Sequence, residues 1–205
     1  MDIAVNLVET YLRFNGYLTM SEFEVQRRVL DGSYETVTDV DIVGIRFPGD
    51  IYAADIHDDA EARMLLVEDP SLFLAPETID VIIGEVKQGE ALFNVGLTRH
   101  EVLHTVLRRV EWVYAVPLDD VIAGLQASMT CRVEARSGGE VRTRLVAFGQ
   151  APITDENVVS LTHVFRELVG FMDRFGDVLR PAQFSEPAPA LLHLLSKLGF
   201  TINDD

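Results

Sequence analysis

The stretch IDVIIGEVKQG, residues 79–89, constrains the fold of this chain more than any other. Its centre, Val81 to Gly84, is apolar on both faces of an extended strand, which is typical of a strand inside a sheet. Glu85 and Lys87 follow and share one face, because side chains alternate along a strand. Since a buried ion pair rarely adds net stability, this end of the strand indicates either a functional site or a salt bridge that emerges into water.

A second strand is predicted over residues 36–47, TVTDVDIVGIRF. Asp39 and Asp41 share one of its faces, while Val40 and Ile42 point the other way. Two like charges at this spacing repel each other unless a cation lies between them. The pattern therefore favours a divalent metal ion at Asp41, and the alternative for Asp39 is an exposed turn or edge position.

The other elements follow from hydrophobic periodicity, capping signals and turn residues. Helices are predicted over residues 2–14, 58–67, 98–114 and 118–126, from residue 154 onward, and over 190–198. A further strand is predicted over residues 17–28, with a one-residue slip in its alternation between Met20 and Phe23. Residues 131–136 and 140–148 are predicted to pair as a hairpin around Ser137-Gly138-Gly139.

The charge balance restricts the partners that the chain can bind. The 205 residues include 33 acidic and 17 basic side chains, a formal net charge of −16. This charge counts against tight, sequence-independent binding of nucleic acid. The single cysteine, Cys131, excludes an internal disulfide. No apolar run approaches the roughly 20 residues of a membrane span, and the N-terminus is acidic where a signal peptide is basic, so we expect a cytoplasmic protein that does not enter a membrane.

Three elements together resemble the PD-(D/E)XK nuclease superfamily. They are the helix that carries Glu9, the strand TDVDIVG that carries Asp41, and the strand DVIIGEVKQG. The resemblance covers about residues 1–115. It implies an α/β fold, in which a mixed central β-sheet flanked by helices forms a restriction-endonuclease-like core.

The sequence pattern predicts a division of the chain. Residues 1–150 would form the nuclease-like core, with an insertion at residues 48–78. Residues 151–205 would form a C-terminal helical extension, which either covers the sheet or forms a dimer interface.

The resemblance also assigns the site residues. Asp41 corresponds to the acidic residue of the first motif strand, Glu85 and Lys87 to the E-x-K half-motif, and Glu9 to the accessory helix acid of some members. Such a site hydrolyses phosphodiester bonds, here expected in DNA, with Mg²⁺ held by Asp41 and Glu85 and with Mn²⁺ as a substitute. The metal lowers the pKa of an attacking water, Lys87 steadies the developing charge, and Gln88 positions water.

The segment HEVLH, residues 100–104, suggests a different chemistry. It is a literal H-E-x-x-H, the signature of zinc metallopeptidases. In the predicted helix His100 and His104 lie just outside the buried stripe, and Glu134 is the one candidate for a third ligand. Thr98 and Glu101 are predicted to form a capping box, which gives Glu101 a structural role. The zinc metallopeptidase is therefore the lesser alternative.

The main alternative to the nuclease is a non-catalytic interaction or assembly module with the nuclease-like fold, acting through a homodimer or a protein partner. The net charge of −16 favours it. Asp41, Glu85 and Lys87 argue against it, because a domain that only binds a partner does not need a buried charged trio.

The predicted hairpin is locally basic, with arginines at positions 132, 136, 142 and 144. Such a row could contact phosphates. Cross-strand pairing with Glu134 and Glu140 on a solvated face is the favoured interpretation.

Overall fold

A computed structural model of the chain describes residues 2–49, 68–176 and 184–200. The strands are β1 (Leu18–Arg28), β2 (Tyr34–Arg46), β3 (Thr78–Glu90), β4 (Thr130–Glu134), β5 (Glu140–Gln150) and β6 (Val158–Ser160). The α-helices are α1 (Ile3–Phe14), α2 (His100–Leu107), α3 (Leu118–Ser128), α4 (Leu161–Arg174) and α5 (Pro187–Lys197), and 3₁₀ helices span Pro70–Leu72 and Arg108–Val113. The helix predicted over residues 58–67 lies outside the described residues.

The strands form one sheet in the order β1-β2-β3-β5-β4, with β6 pairing beside β5. β2 pairs antiparallel with both β1 and β3. β3 and β5 run parallel, and β4 is antiparallel to β5. The fold is therefore α/β with a mixed central β-sheet flanked by helices, which confirms the predicted fold class. Because β3 lies between β2 and β5, the run from Val81 to Gly84 is buried on both faces, as its sequence predicts.

Helices cover both faces of the sheet. On one face, apolar residues of α2 and α3 form what we call the α2-side core, which includes Val102, Leu103, Val106, Leu107, Val121, Ile122 and Leu125. On the other face, α1, α4 and α5 form the α1-side core, which includes Val5, Val8, Tyr11, Leu12, Val164, Leu168, Phe171 and Leu192. The C-terminal helices thus cover the sheet, which is one of the two arrangements left open by the sequence.

The helix predicted over residues 98–114 is shorter and starts differently. α2 ends at Leu107, and the chain continues as a 3₁₀ helix with a kink at Val110. The N-cap residue is Arg99, without a side-chain cap, and the Thr98 hydroxyl donates to the Val95 carbonyl instead. The predicted capping box of Thr98 and Glu101 is therefore wrong, because Thr98 already closes the preceding turn.

The C-terminal region contains a strand where a helix was predicted. Residues 158–160 form β6, parallel to β5, and α4 begins only at Leu161. β-branched valines at positions 158 and 159 suit a strand, and the side of β5 left open beyond β4 offers them a partner. α5 also begins earlier than predicted, at Pro187, because proline is tolerated in the first turn of a helix.

Across the described ranges, no helix combines the length and the apolar character needed to span a membrane.

Candidate functional site

The candidate site lies where β2 and β3 part. Their paired register runs from Arg46 opposite Asp80 to Ile42 opposite Gly84 and ends there. Beyond that pair, β2 continues on β1 alone and β3 on β5 alone. We call this opening, with Asp39, Asp41, Glu85 and Lys87, the β2/β3 fork.

Gly84 permits the close approach of the strands just before the fork. A Cβ atom at this position would lie 2.5 Å from Cγ2 of Ile42 and 3.0 Å from the ring of Phe148. Side chains do not tolerate such contacts, so glycine is required for Ile42 and Phe148 to pack on this face. Glu85 is the next residue along β3, and this packing fixes where it leaves the sheet.

Asp41 is half-buried at the fork. Its Oδ2 atom accepts a hydrogen bond of 2.7 Å from the backbone N–H of Val86. Burial raises the pKa of Asp41, the negative charges of Asp39 and Asp2 raise it further, and Lys87 and the Val86 N–H only partly offset this. Asp41 is thus a carboxylate in an environment that disfavours its charge.

Glu85 and Lys87 complete the fork. The Glu85 side chain is 3% exposed, and the Lys87 ammonium, on a side chain that is 46% exposed, forms an ion pair with its Oε1. Burial and the charge of Asp41 raise the pKa of Glu85 in spite of that ion pair. The hydrogen bond to Glu85 raises the pKa of Lys87. Two carboxylates that repel each other therefore share one ammonium group.

The pleat of β1 and β2 is broken beside Asp41. Met20 and Val43 face the α2-side core, and so do Phe23 and Val40, three residues further along each strand. Between Met20 and Phe23, Glu22 has a left-handed backbone with φ of +49°. The predicted slip in β1 is therefore confirmed, and backbone strain of this kind is found at functional sites.

The predicted alternation of β2 is wrong at the same place. Val40 packs in the α2-side core, whereas Ile42 packs in the α1-side core, so the two do not share a face. The break lies beside Glu22 of the neighbouring strand, between the paired positions Ser21–Ile42 and Phe23–Val40.

Glu9 is held by groups outside the fork. It is buried in the helical layer on the α1 side, and its Oε1 accepts hydrogen bonds from Arg13 at 2.8 Å, Thr19 at 3.1 Å and Ser21 at 3.2 Å. The structure brings Asp41, Glu85 and Lys87 together, and the hydrogen bonds of Glu9 are with Arg13, Thr19 and Ser21.

Gln88 contacts Asp2, a residue that lies close enough to the fork to act on Asp41 and that no sequence pattern indicated. The Gln88 amide donates to a carboxylate oxygen of Asp2 at 3.2 Å, and the Asp2 backbone N–H donates to Glu22 at 2.9 Å. Asp2 also raises the pKa of Asp41. No spacing in the sequence could have identified Asp2, because its position depends on how α1 docks on the sheet.

The HEVLH segment lacks a metal site in the part of the chain that the structure describes. His100 and His104 lie outside the buried stripe, as predicted, and His100 Nε2 lies 3.0 Å from Oδ1 of Asp119. Among the described residues, the three side chains that lie close enough together to hold one ion are Asp69, His163 and Glu167. Glu134, the suggested third ligand, lies on β4 opposite Glu140.

The arginines of the hairpin divide into two kinds. Arg132 is exposed and pairs with Glu140 at 2.6 Å, which confirms cross-strand pairing at this position. Arg142 and Arg144 are instead buried and bind the two carboxylate oxygens of Asp80, at 2.5 Å and 2.8 Å. Both interpretations of the basic row, a phosphate-contacting edge and a solvated face, are therefore wrong for Arg142 and Arg144. The register of β3 and β5 places Asp80 beside Arg142 inside the sheet.

Comparisons with protein-family models, with curated proteins and with solved structures find no match for this chain.

Proposed function

We propose that the chain is a Mg²⁺-dependent nuclease of the PD-(D/E)XK type, which hydrolyses phosphodiester bonds of DNA through Asp41, Glu85 and Lys87. The observation that carries the proposal is the coupling at the β2/β3 fork. Asp41 and Glu85 both have a raised pKa through burial, and the charge of Asp41 adds to the effect at Glu85. A protein that maintains two such carboxylates beside one ammonium favours the binding of a further cation.

The donor set of the fork fits Mg²⁺. Carboxylate oxygens are the ligands that this hard cation prefers, and a divalent charge would relieve the repulsion between Asp41 and Glu85. Two protein carboxylates are sufficient, because Mg²⁺ keeps several waters and takes further oxygens from substrate phosphates. The exposed Asp39 adds negative charge at the open side of the fork.

The residues of the fork divide the chemistry among them. When bound, the divalent ion polarises the phosphate and lowers the pKa of a coordinated water. The Val86 N–H orients the Asp41 carboxylate, and the Lys87 ammonium orients that of Glu85. Because Lys87 is half-exposed, its ammonium can also turn to a substrate phosphate and stabilise the negative charge that builds there.

A cationic side chain near the fork supports a polyanionic substrate. The guanidinium of Arg109 lies over the ring of Phe23, 4.5 Å from its centroid, and Phe23 is paired with Val40, next to Asp41. Arg109 is exposed and can donate to phosphate oxygens. In a chain of net charge −16, Arg109 contributes one phosphate contact, and a protein partner can supply the rest of the binding surface.

The test is cleavage of plasmid DNA and of labelled single-stranded DNA, duplex DNA and RNA in the presence of Mg²⁺ or Mn²⁺. We expect cleavage by the wild-type protein, its loss in Glu85→Gln and on chelation of the metal, and normal cleavage by Asp119→Asn, an exposed acid outside the fork. Equal cleavage by wild type and Glu85→Gln would contradict the proposal.

The alternative is an interaction module without catalytic activity, and one feature of the surface favours it. Leu191, Leu194 and Leu198, at helical spacing on α5 and its C-cap, are each more than half exposed. A groove of about 500 Å³ lies between α4 and α5. Saturable Mn²⁺ binding without cleavage of any of the four substrates would favour this alternative.

A further inference from the structure

A second group of metal-type ligands lies on the α1 side of the sheet. Asp69, His163 and Glu167 each offer one ligand atom, and these atoms all lie within 4.8 Å of one another. Asp69 caps the 3₁₀ helix that precedes β3, and His163 and Glu167 are four residues apart on α4. Residues at this spacing share one face of a helix, so two ligands from one helix converge on a third from another segment.

Asp69 is a buried carboxylate that three other groups contact. Its side chain is 2% exposed. Oδ2 accepts a hydrogen bond of 2.6 Å from the Tyr11 hydroxyl and lies 2.6 Å from His163 Nε2, and Oδ1 accepts one of 2.8 Å from the Ser71 backbone N–H. Of these three partners His163 alone can carry a positive charge. Burial alone would raise the pKa of Asp69, but the hydrogen bonds from Tyr11, Ser71 and His163 outweigh burial and lower it, so the buried side chain is held as a carboxylate.

The hydrogen bonds from Tyr11 and Ser71 also orient the Asp69 carboxylate. They fix the orientation of the Asp69 carboxylate from outside the cluster, and Tyr11 is itself buried in the α1-side core. Metal ligands are typically held in this way by hydrogen bonds from an outer layer of residues.

We propose that Asp69, His163 and Glu167 bind a divalent transition-metal ion of the Zn²⁺ class, which ties α4 to the segment that leads into β3. One imidazole nitrogen with two carboxylates suits Zn²⁺ or Co²⁺, whereas Mg²⁺ prefers oxygen ligands alone. Three protein ligands leave the fourth position of a tetrahedral ion to water.

The proposed zinc site is independent of the nuclease site. The side-chain oxygen of Asn15 accepts a hydrogen bond from the Asp69 backbone N–H, and the Asn15 carbonyl accepts one from Arg46, so the cluster lies near the Arg46 end of the β2–β3 ladder. Ile42, at the fork end, is four residues away along β2, or about 13 Å. The two sites therefore differ in place, in ligand type and in the metal that they prefer.

The test is titration of the metal-free protein with Zn²⁺ by calorimetry and with Co²⁺ by visible absorption. We expect one Zn²⁺ per chain at this site and a midpoint of thermal unfolding that rises with Zn²⁺. Glu167→Gln removes a ligand that is only partly buried and should weaken Zn²⁺ binding at least about tenfold, and Tyr11→Phe should weaken it about tenfold through the lost outer bond. If Glu167→Gln does not fold, His163→Gln provides the same comparison.

His104→Gln is the control and should bind Zn²⁺ like the wild type. The proposal is overturned if the wild type binds no Zn²⁺, if Glu167→Gln binds it normally, or if His104→Gln is the variant that loses it. Failure of the nuclease proposal looks different: Zn²⁺ binding would depend on Glu167 while no nucleic acid is cleaved in Mg²⁺.

Discussion

The Asp41 carboxylate accepts a hydrogen bond of 2.7 Å from the backbone N–H of Val86. A side chain of β2 thus occupies a position at which backbone pairing with β3 has already ended. Because Val86 directly follows Glu85, the same bond sets Asp41 beside Glu85. The two carboxylates are therefore positioned by rigid strands, which is the support that a catalytic metal site needs.

Replacement of Lys87 should separate metal binding from catalysis. We expect Lys87→Ala to bind Mn²⁺ at least as well as the wild type, because an ion pair that competes for Glu85 is lost. Cleavage should fall by about 10² to 10³, the effect of removing one group that stabilises developing charge. The chain has one other lysine, Lys197 on α5, so Lys197→Ala is the matched control. Cleavage by Lys87→Ala at the wild-type rate would exclude Lys87 from the site.

Neutralising Asp41 should stabilise the metal-free fold. A carboxyl group whose pKa is raised on folding contributes stability below its unfolded pKa and loses that contribution as pH rises through the folded pKa. Asp41→Asn should therefore unfold at higher urea concentration at pH 7, with a gain of at most about 1 kcal/mol because water screens a half-exposed charge. The gain should vanish below about pH 4.

Two measurements complete this comparison. Asp31→Asn is the control, because hydrogen bonds from Ser33 lower the pKa of Asp31 and the expected effect has the opposite sign. Asp41→Asn should also lose saturable Mn²⁺ binding. A variant that is less stable than the wild type at pH 7 without metal would show that the charge of Asp41 is compensated within the fold.

The sequence predicts the β2/β3 fork better than its surroundings. An apolar run that ends in Glu85 and Lys87 identifies a central strand and a charged end, because both are local properties of β3. The roles of Glu9 and Asp2 depend on how α1 docks on the sheet, which no local pattern encodes. β6 was missed for the same reason, since a strand of three residues exists only because β5 offers it a partner.

Long-range pairing explains the two charged clusters that the sequence did not reveal. Arg142 and Arg144 alternate with Val141, Thr143 and Leu145, a pattern that normally indicates an exposed face. They are buried because the parallel register of β3 and β5 places Asp80 beside them. Asp69 and His163 lie 94 residues apart, on segments with no common motif.

Removal of Arg109 should weaken nucleic-acid binding through the loss of one phosphate contact. We expect Arg109→Ala to bind DNA more weakly and to lower the slope of log affinity against log salt by about one. Fluorescence anisotropy at several salt concentrations measures this slope. Arg132→Ala, at the opposite edge of the sheet and paired with Glu140, should keep the wild-type slope. Identical slopes for both variants would exclude Arg109 from the interface.

Asp80 should be required for stability at neutral pH and much less so in acid. Burial alone would raise the pKa of Asp80, but the charges and hydrogen bonds of Arg144 and Arg142 outweigh burial and lower it. A carboxyl group with a lowered folded pKa contributes stability above its unfolded pKa, and this contribution is lost as pH falls through the folded pKa. Asp80→Asn leaves Arg144 without this counter-charge and Arg142 with the more distant Glu156 carboxylate at 3.6 Å, and should cost about 3–5 kcal/mol at pH 7.

Urea unfolding at a series of pH values tests this dependence. The difference in unfolding free energy between wild type and Asp80→Asn should be constant at neutral pH and shrink progressively below about pH 4, because the wild-type carboxyl then becomes neutral as well. Asp39→Asn, an exposed acid on β2, should show no comparable loss at pH 7. A difference that persists unchanged in acid would mean that Asp80 acts through its shape and hydrogen bonds, and that its charge does not stabilise Arg142 and Arg144.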